Sequence, residues 1–128
     1  MKPIIRERIS KAEGDWNAAG LLFRSRKHPN YDGACFHTQQ CAEKYVKARL
    51  EQEGIVFGKT HDLEKLLSLV LPVEPTWGVL RQDLIFLTDF AVDYRYPGSS
   101  ATKSEAKEAI RRCGNVRTVI RRAFGLKL

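Results

Sequence analysis

At 128 residues the chain has room for one domain whose core needs no disulfide or metal staple. Its 43% hydrophobic and 29% charged residues describe a globular protein, and no run approaches the ~20 apolar residues needed to span a bilayer. The formal charge of +7 favours anionic partners as a field effect without naming one. The N-terminal segment Met1 to Arg8 carries charges where a signal peptide needs an apolar run, so a cytoplasmic location is expected, with no membrane partner. Cys35, Cys41 and Cys113 form no CxxC pair and read as small, reduced core residues.

Apolar periodicity predicts helices throughout. Ile5, Ile9, Ala12, Trp16, Ala19 and Phe23 recur at spacings of four and three, predicting a first helix from about Ile4 to Lys27. Ser10 and Glu13 have the S-x-x-E spacing of a capping box, which allows the regular helix to begin only there. A second helix is expected from Tyr31 or Asp32 to Glu53, with Gly54 as its C-cap. Its apolar positions, Ala34, Cys35, Cys41, Ala42, Tyr45, Val46, Ala48 and Leu50, cover more than half the circumference, as on a helix with several neighbours. Thr60 is the expected cap of a third helix carrying Leu63, Leu66, Leu67 and Val70. A fourth is expected from Thr76 to Asp93, broken by Tyr94 to Ser100. Thr102 and Glu105 form a second capping-box pattern opening a fifth helix to about Phe124. No alternating strand pattern competes, and the fold expected is all-α: an antiparallel up-and-down bundle of four to five helices in a single domain, residues 1–128.

Four features carry candidate chemistry. His37, Gln40, Lys44 and Lys47 line one stripe of the second helix; they read either as a solvated, ion-paired face or as a ligand-facing one. Arg111, Arg112, Arg117, Arg121 and Arg122 lie outside the apolar arc of the fifth helix, as a nucleic-acid surface or as cations favoured by the helix dipole. His61 is expected in the first turn of the third helix, where free N–H groups attract anions, or packed on a neighbour. Tyr94-Arg95-Tyr96 offers two rings to stack a base and a guanidinium to pair a phosphate, or completes the core with Arg95 paired to an acid such as Asp93. There is no P-loop, nucleophile elbow or dinucleotide fingerprint, and the histidines and cysteines lack metal-site spacing, so no catalytic residue, metal or cofactor is assigned.

Four segments, in order, resemble the HEPN family (higher eukaryotes and prokaryotes nucleotide-binding). They are Trp16 to Leu22 with Tyr31 to Phe36, Gln39 to Ala48 (similar to Q-x-A-E-K-x-x-K), Thr60-His61-Asp62-Leu63 (T-H-x-L), and Tyr94-Arg95-Tyr96-Pro97 (Y-x-R-Y-P). The resemblance implies a helical bundle forming a symmetric homodimer, with a cleft that binds a nucleotide or RNA. It also implies a minimal nucleotidyltransferase partner, in some cases as a toxin–antitoxin pair. The ligand-binding residues expected from residues and resemblance together are Lys44, Lys47, His61, Tyr94, Arg95 and Tyr96.

The sequence departs from the family's ribonucleases, which place a histidine after an arginine with four to six residues between the two. Counting back from His28 finds Phe23, Leu22 and Leu21; from His37, Asp32, Tyr31 and Asn30; from His61, Val56, Ile55 and Gly54. The expectation is therefore a non-catalytic nucleotide- or RNA-binding protein. The alternatives are a divergent ribonuclease using His61 and Arg95, and a structural dimer without a specific ligand.

Overall fold

The computed structural model describes residues 1–91 and 97–128. Among them every regular element is helical: α1 (Pro3–Arg24), α2 (Tyr31–Gln52), α3 (Leu63–Val70), a 3-10 turn (Pro75–Leu80), α4 (Arg81–Thr88) and α5 (Lys103–Ala123). This is the up-and-down bundle that the apolar periodicity predicts, and it is built around α2, which packs on α1, α3, α4 and α5. Ala34, Cys35, Cys41, Ala42, Tyr45, Val46, Ala48 and Leu50 are all buried, so its wide apolar surface is matched by neighbours on most sides. Small residues at 34, 42 and 48 let those neighbours approach closely, while Tyr45 and Leu50 fill the space between them.

The ends of the helices differ from the sequence expectation in ways that move functional groups. Helix α1 begins at Pro3, seven residues before Ser10. Proline suits the first helical position because its missing N–H would have no partner there, and Ile5 and Ile9 give that early turn a buried face. Glu13 is thus mid-helix and does not cap; its carboxylate reaches Tyr45 and Arg117 instead. At the other end α1 stops at Arg24, three residues short of Lys27.

Asn30 caps α2 by accepting from Gly33 N at 2.7 Å. The helix ends at Gln52 with Glu53 as the cap residue, and Gly54 follows at φ +71°, the left-handed conformation that turns the chain away. The cap of α3 is Asp62, whose carboxylate accepts from Glu64 N and Lys65 N; Thr60 Oγ1 accepts only from Asp62 N. His61 therefore precedes the helix and does not sit in its first turn, and the N-terminal amides expected to attract an anion already bond Asp62.

The expected fourth helix is divided: Pro75 to Leu80 wind as a 3-10 turn, and α4 ends at Thr88, before Asp93. Thr88 Oγ1 donates to Leu84 O and accepts from Leu63 N, tying the end of α4 to the start of α3. The Thr102–Glu105 capping box of α5 is fully formed, with both reciprocal bonds at 3.0 Å.

Candidate functional site

The polar stripe of α2 does not stand in solvent. It turns onto two buried carboxylates. Glu43 is the first. Its side chain is 7% exposed, and its Oε1 accepts from His61 Nδ1 at 2.8 Å and from Gln39 Nε2 at 3.0 Å. Its Oε2 accepts from Lys47 Nζ at 3.0 Å. Gln39, fully buried, also donates to the backbone carbonyl of His61 at 3.2 Å, so the histidine is fixed at ring and main chain alike. A carboxylate can only accept, so His61 carries its proton on Nδ1 in this pairing and presents the rest of a 62% exposed imidazole to solvent. Burial pushes the Glu43 carboxyl upward, but the hydrogen bonds from Gln39, His61 and Lys47 outweigh it and hold the group below its ordinary value.

Asp15, buried on α1, is the second carboxylate. Its Oδ2 accepts from Lys44 Nζ at 2.6 Å and its Oδ1 pairs with His37 Nδ1 at 2.8 Å. Lys44 also lines a groove of about 180 Å³ with Ile4, Glu7, Arg8 and Lys11. Arg8 connects the two clusters: its guanidinium lies 5.2 Å from the centre of the Phe57 ring, and Lys47 Nζ lies 5.4 Å from the same centre. Lys44, Arg8 and Lys47 thus border one strip across α1 and α2, while Lys47 and His61 share one carboxylate. Tyr94, Arg95 and Tyr96, with Asp93, lie outside the described residues.

Most of the arginines of α5 meet internal acids. Arg117 grips Glu13 with two bonds of 2.7 Å, Arg121 donates to the Tyr45 hydroxyl at 3.0 Å, and Arg112 pairs with Asp83 and Glu108. The Arg117 contact draws the Glu13 carboxyl below its ordinary range, and burial with the Glu13 carboxylate drives the Tyr45 hydroxyl well above its own. This network clamps α1, α2 and α5 together, and Arg112, Arg117 and Arg121 serve the fold before any ligand.

A family model described as HEPN domain matches residues 5–123. The chain belongs to the HEPN family. Among its relatives, "Putative toxin MJ1304" of Methanocaldococcus jannaschii is 30% identical over 93% of this chain and 90% of its own. The crystal structure of ST0689, an archaeal HEPN homologue, superposes with a TM-score of 0.75 at 27% identity, covering 96% of this chain and 98% of the other. That of TT1696 from Thermus thermophilus gives 0.78 at 22% identity, over 92% and 96%, and shows the same fold.

Within this HEPN fold, two of the four segments that carry the family resemblance meet in space. Gln39, Glu43 and Lys47 come from the α2 segment and His61 from the segment before α3, and the Glu43 carboxylate joins them. Asp15 was not a candidate from the sequence. No local pattern marks an aspartate that meets residues 22 and 29 positions away.

Proposed function

We propose that this HEPN protein binds a nucleotide or RNA without cutting it, as a single-domain homodimer that works with a minimal nucleotidyltransferase. The observation that carries the reading is the Glu43 cluster. A buried carboxylate holds an exposed imidazole and a lysine together where two family segments meet. Groups fixed in this way lose little conformational freedom when a ligand arrives. In the proposal His61 and Lys47 face the ligand, Arg8 and Lys44 add positive field from the adjoining strip, and Arg95 pairs a phosphate through two parallel bonds. Tyr94 or Tyr96 stacks a base, worth roughly 1–3 kcal/mol in single-stranded complexes. The name of the archaeal relative supports extending the proposal to a toxin–antitoxin pair, with the nucleotidyltransferase as the second member.

Calorimetric titration with ATP, GTP and short RNA tests the reading. Binding that weakens with salt and is lost in His61→Ala and Arg95→Ala supports it. No binding at millimolar ligand, or parental affinity in both variants, refutes it.

One observation favours a second reading. A buried glutamate bonded to Nδ1 of an exposed histidine fixes the tautomer and orientation that acid–base catalysis uses. A divergent ribonuclease centred on His61 would use that pairing, and it would cut RNA in a manner abolished by His61→Ala.

A further inference from the structure

At the N-terminal end of α2 lies a cavity of about 540 Å³, a size typical of small-molecule sites. It is formed by the end of α1, the connection to α2 and the first residue of α5. Three cations line it, Arg24, Arg26 and Lys103, together with the rings of Phe23 and Tyr31 and the hydroxyl-bearing Ser25. Among the described residues no acidic side chain lines it, and none of the three cations makes an ion pair. The contrast with α5 is direct, since Arg111, Arg112, Arg117 and Arg121 all pair with carboxylates. Like charges gathered without a counter-ion repel, and an arriving anion relieves that repulsion.

The helix ends beside the cavity are not the source of the attraction. Asn30 and the Thr102–Glu105 box cap α2 and α5, and the Asp32 carboxylate accepts from Ala101 N at 2.6 Å, joining the two helix starts. That bond fixes the position of Lys103 relative to Tyr31. The position of Arg24 is set differently. A Cβ on Gly20 would come within 2.6 Å of Arg24 Nη1, so the flexible end of the arginine folds back over Gly20, beside a second groove that it lines with Trp16, Asn17 and Ile110. Glycine inside a helix costs about 1 kcal/mol against alanine, and here the missing methyl admits the folded-back arginine. Phe23 and Tyr31, with ring centres 5.9 Å apart and half-buried, present aromatic surface beside the cations.

We propose that this cavity is a second ligand site that takes a nucleoside polyphosphate, with the phosphates on Arg24, Arg26 and Lys103 and the base against Tyr31. The guanidinium groups supply paired donors to phosphate oxygens and the lysine a point charge. The site stands apart from the Glu43 cluster: Tyr31 and Glu43 are separated by about 18 Å along α2 at 1.5 Å per residue.

Equilibrium titration of the full chain with ATP, and in parallel with inorganic tripolyphosphate, tests the assignment. Arg26→Gln with Lys103→Gln is expected to weaken both ligands at least about tenfold. Tyr31→Leu, which keeps apolar packing on Phe23, weakens ATP and leaves tripolyphosphate unchanged. Three results overturn the proposal: no ATP binding by the parent at millimolar concentration, parental affinity in the Arg26→Gln/Lys103→Gln protein, or ATP binding lost in His61→Ala but kept in that double variant. The last places the nucleotide at the Glu43 cluster and so upholds the proposed function while removing this site.

Discussion

Replacing Glu43 by alanine removes the acceptor shared by His61, Lys47 and Gln39. Its largest effect falls on Lys47, whose side chain is 11% exposed and whose ammonium bonds no other acid among the described residues. Breaking a buried ion pair by removing one partner costs about 3–5 kcal/mol, because the remaining charge stays desolvated. Lys47 sits on a long stem beside the Phe57 ring and can swing outward, so the low end applies, about 3 kcal/mol. For a chain of this size that corresponds to a fall in Tm on the order of 10 °C. Removing both charges relieves the stranded ammonium. The double variant Glu43→Ala/Lys47→Ala should therefore be less destabilised than the sum of the single variants, with a coupling of about 1–3 kcal/mol. Urea unfolding of the four proteins measures the cycle. Strict additivity, or a loss below about 1 kcal/mol for Glu43→Ala, would show that the cluster is solvated and that Glu43 does not order the site.

Acid should weaken the fold through the same carboxyls. Glu13 and Glu43 are held below their ordinary value of 4.5 in the folded chain, so their contribution is present above that value and is lost as pH falls through the lowered range; urea midpoints should be level near neutrality and drop below pH 4.5, and a midpoint that rises on acidification contradicts the assignment. Thr102→Ala removes the cap of α5 and should cost about 1 kcal/mol, read as a lower thermal midpoint, with no change expected from Ser10→Ala, which caps nothing. Sedimentation equilibrium at micromolar concentration should give twice the 14.6 kDa chain mass for an isologous dimer, and a clean monomer counts against it.

The bundle was legible because its information is local. The stripe from Ile5 to Ala19 and the apolar breadth of α2 follow from periodicity alone, and Thr102 with Glu105 names its own helix start. Ser10 and Glu13 show the limit of such a pattern. The same spacing occurs, but Pro3 begins the helix earlier and Glu13 is claimed by Arg117 and Tyr45, 104 and 32 residues away. Thr60 was the expected cap, but the Asp62 carboxylate reaches two amides where the Thr60 hydroxyl reaches one. The stripe His37, Gln40, Lys44 and Lys47 was visible as a stripe, but its direction was not. Asp15 receives His37 and Lys44, and those pairings are set by the packing of α1 on α2, which spacing within one helix does not encode; Lys47 with Glu43 is an i,i+4 pair within α2 itself. His61 was singled out from its place before the third helix, but its meeting with Glu43, 18 residues away, was not legible in the sequence.

The claim that this HEPN protein binds RNA without cutting it is tested most directly by incubating an end-labelled single-stranded RNA with excess protein. The same mixture is run on native and on denaturing gels. The account predicts a retarded, salt-sensitive complex on the native gel, diminished in His61→Ala and Arg95→Ala, and full-length RNA on the denaturing gel after hours. Shortened RNA that disappears with His61→Ala, or RNA that is never retarded, would contradict it.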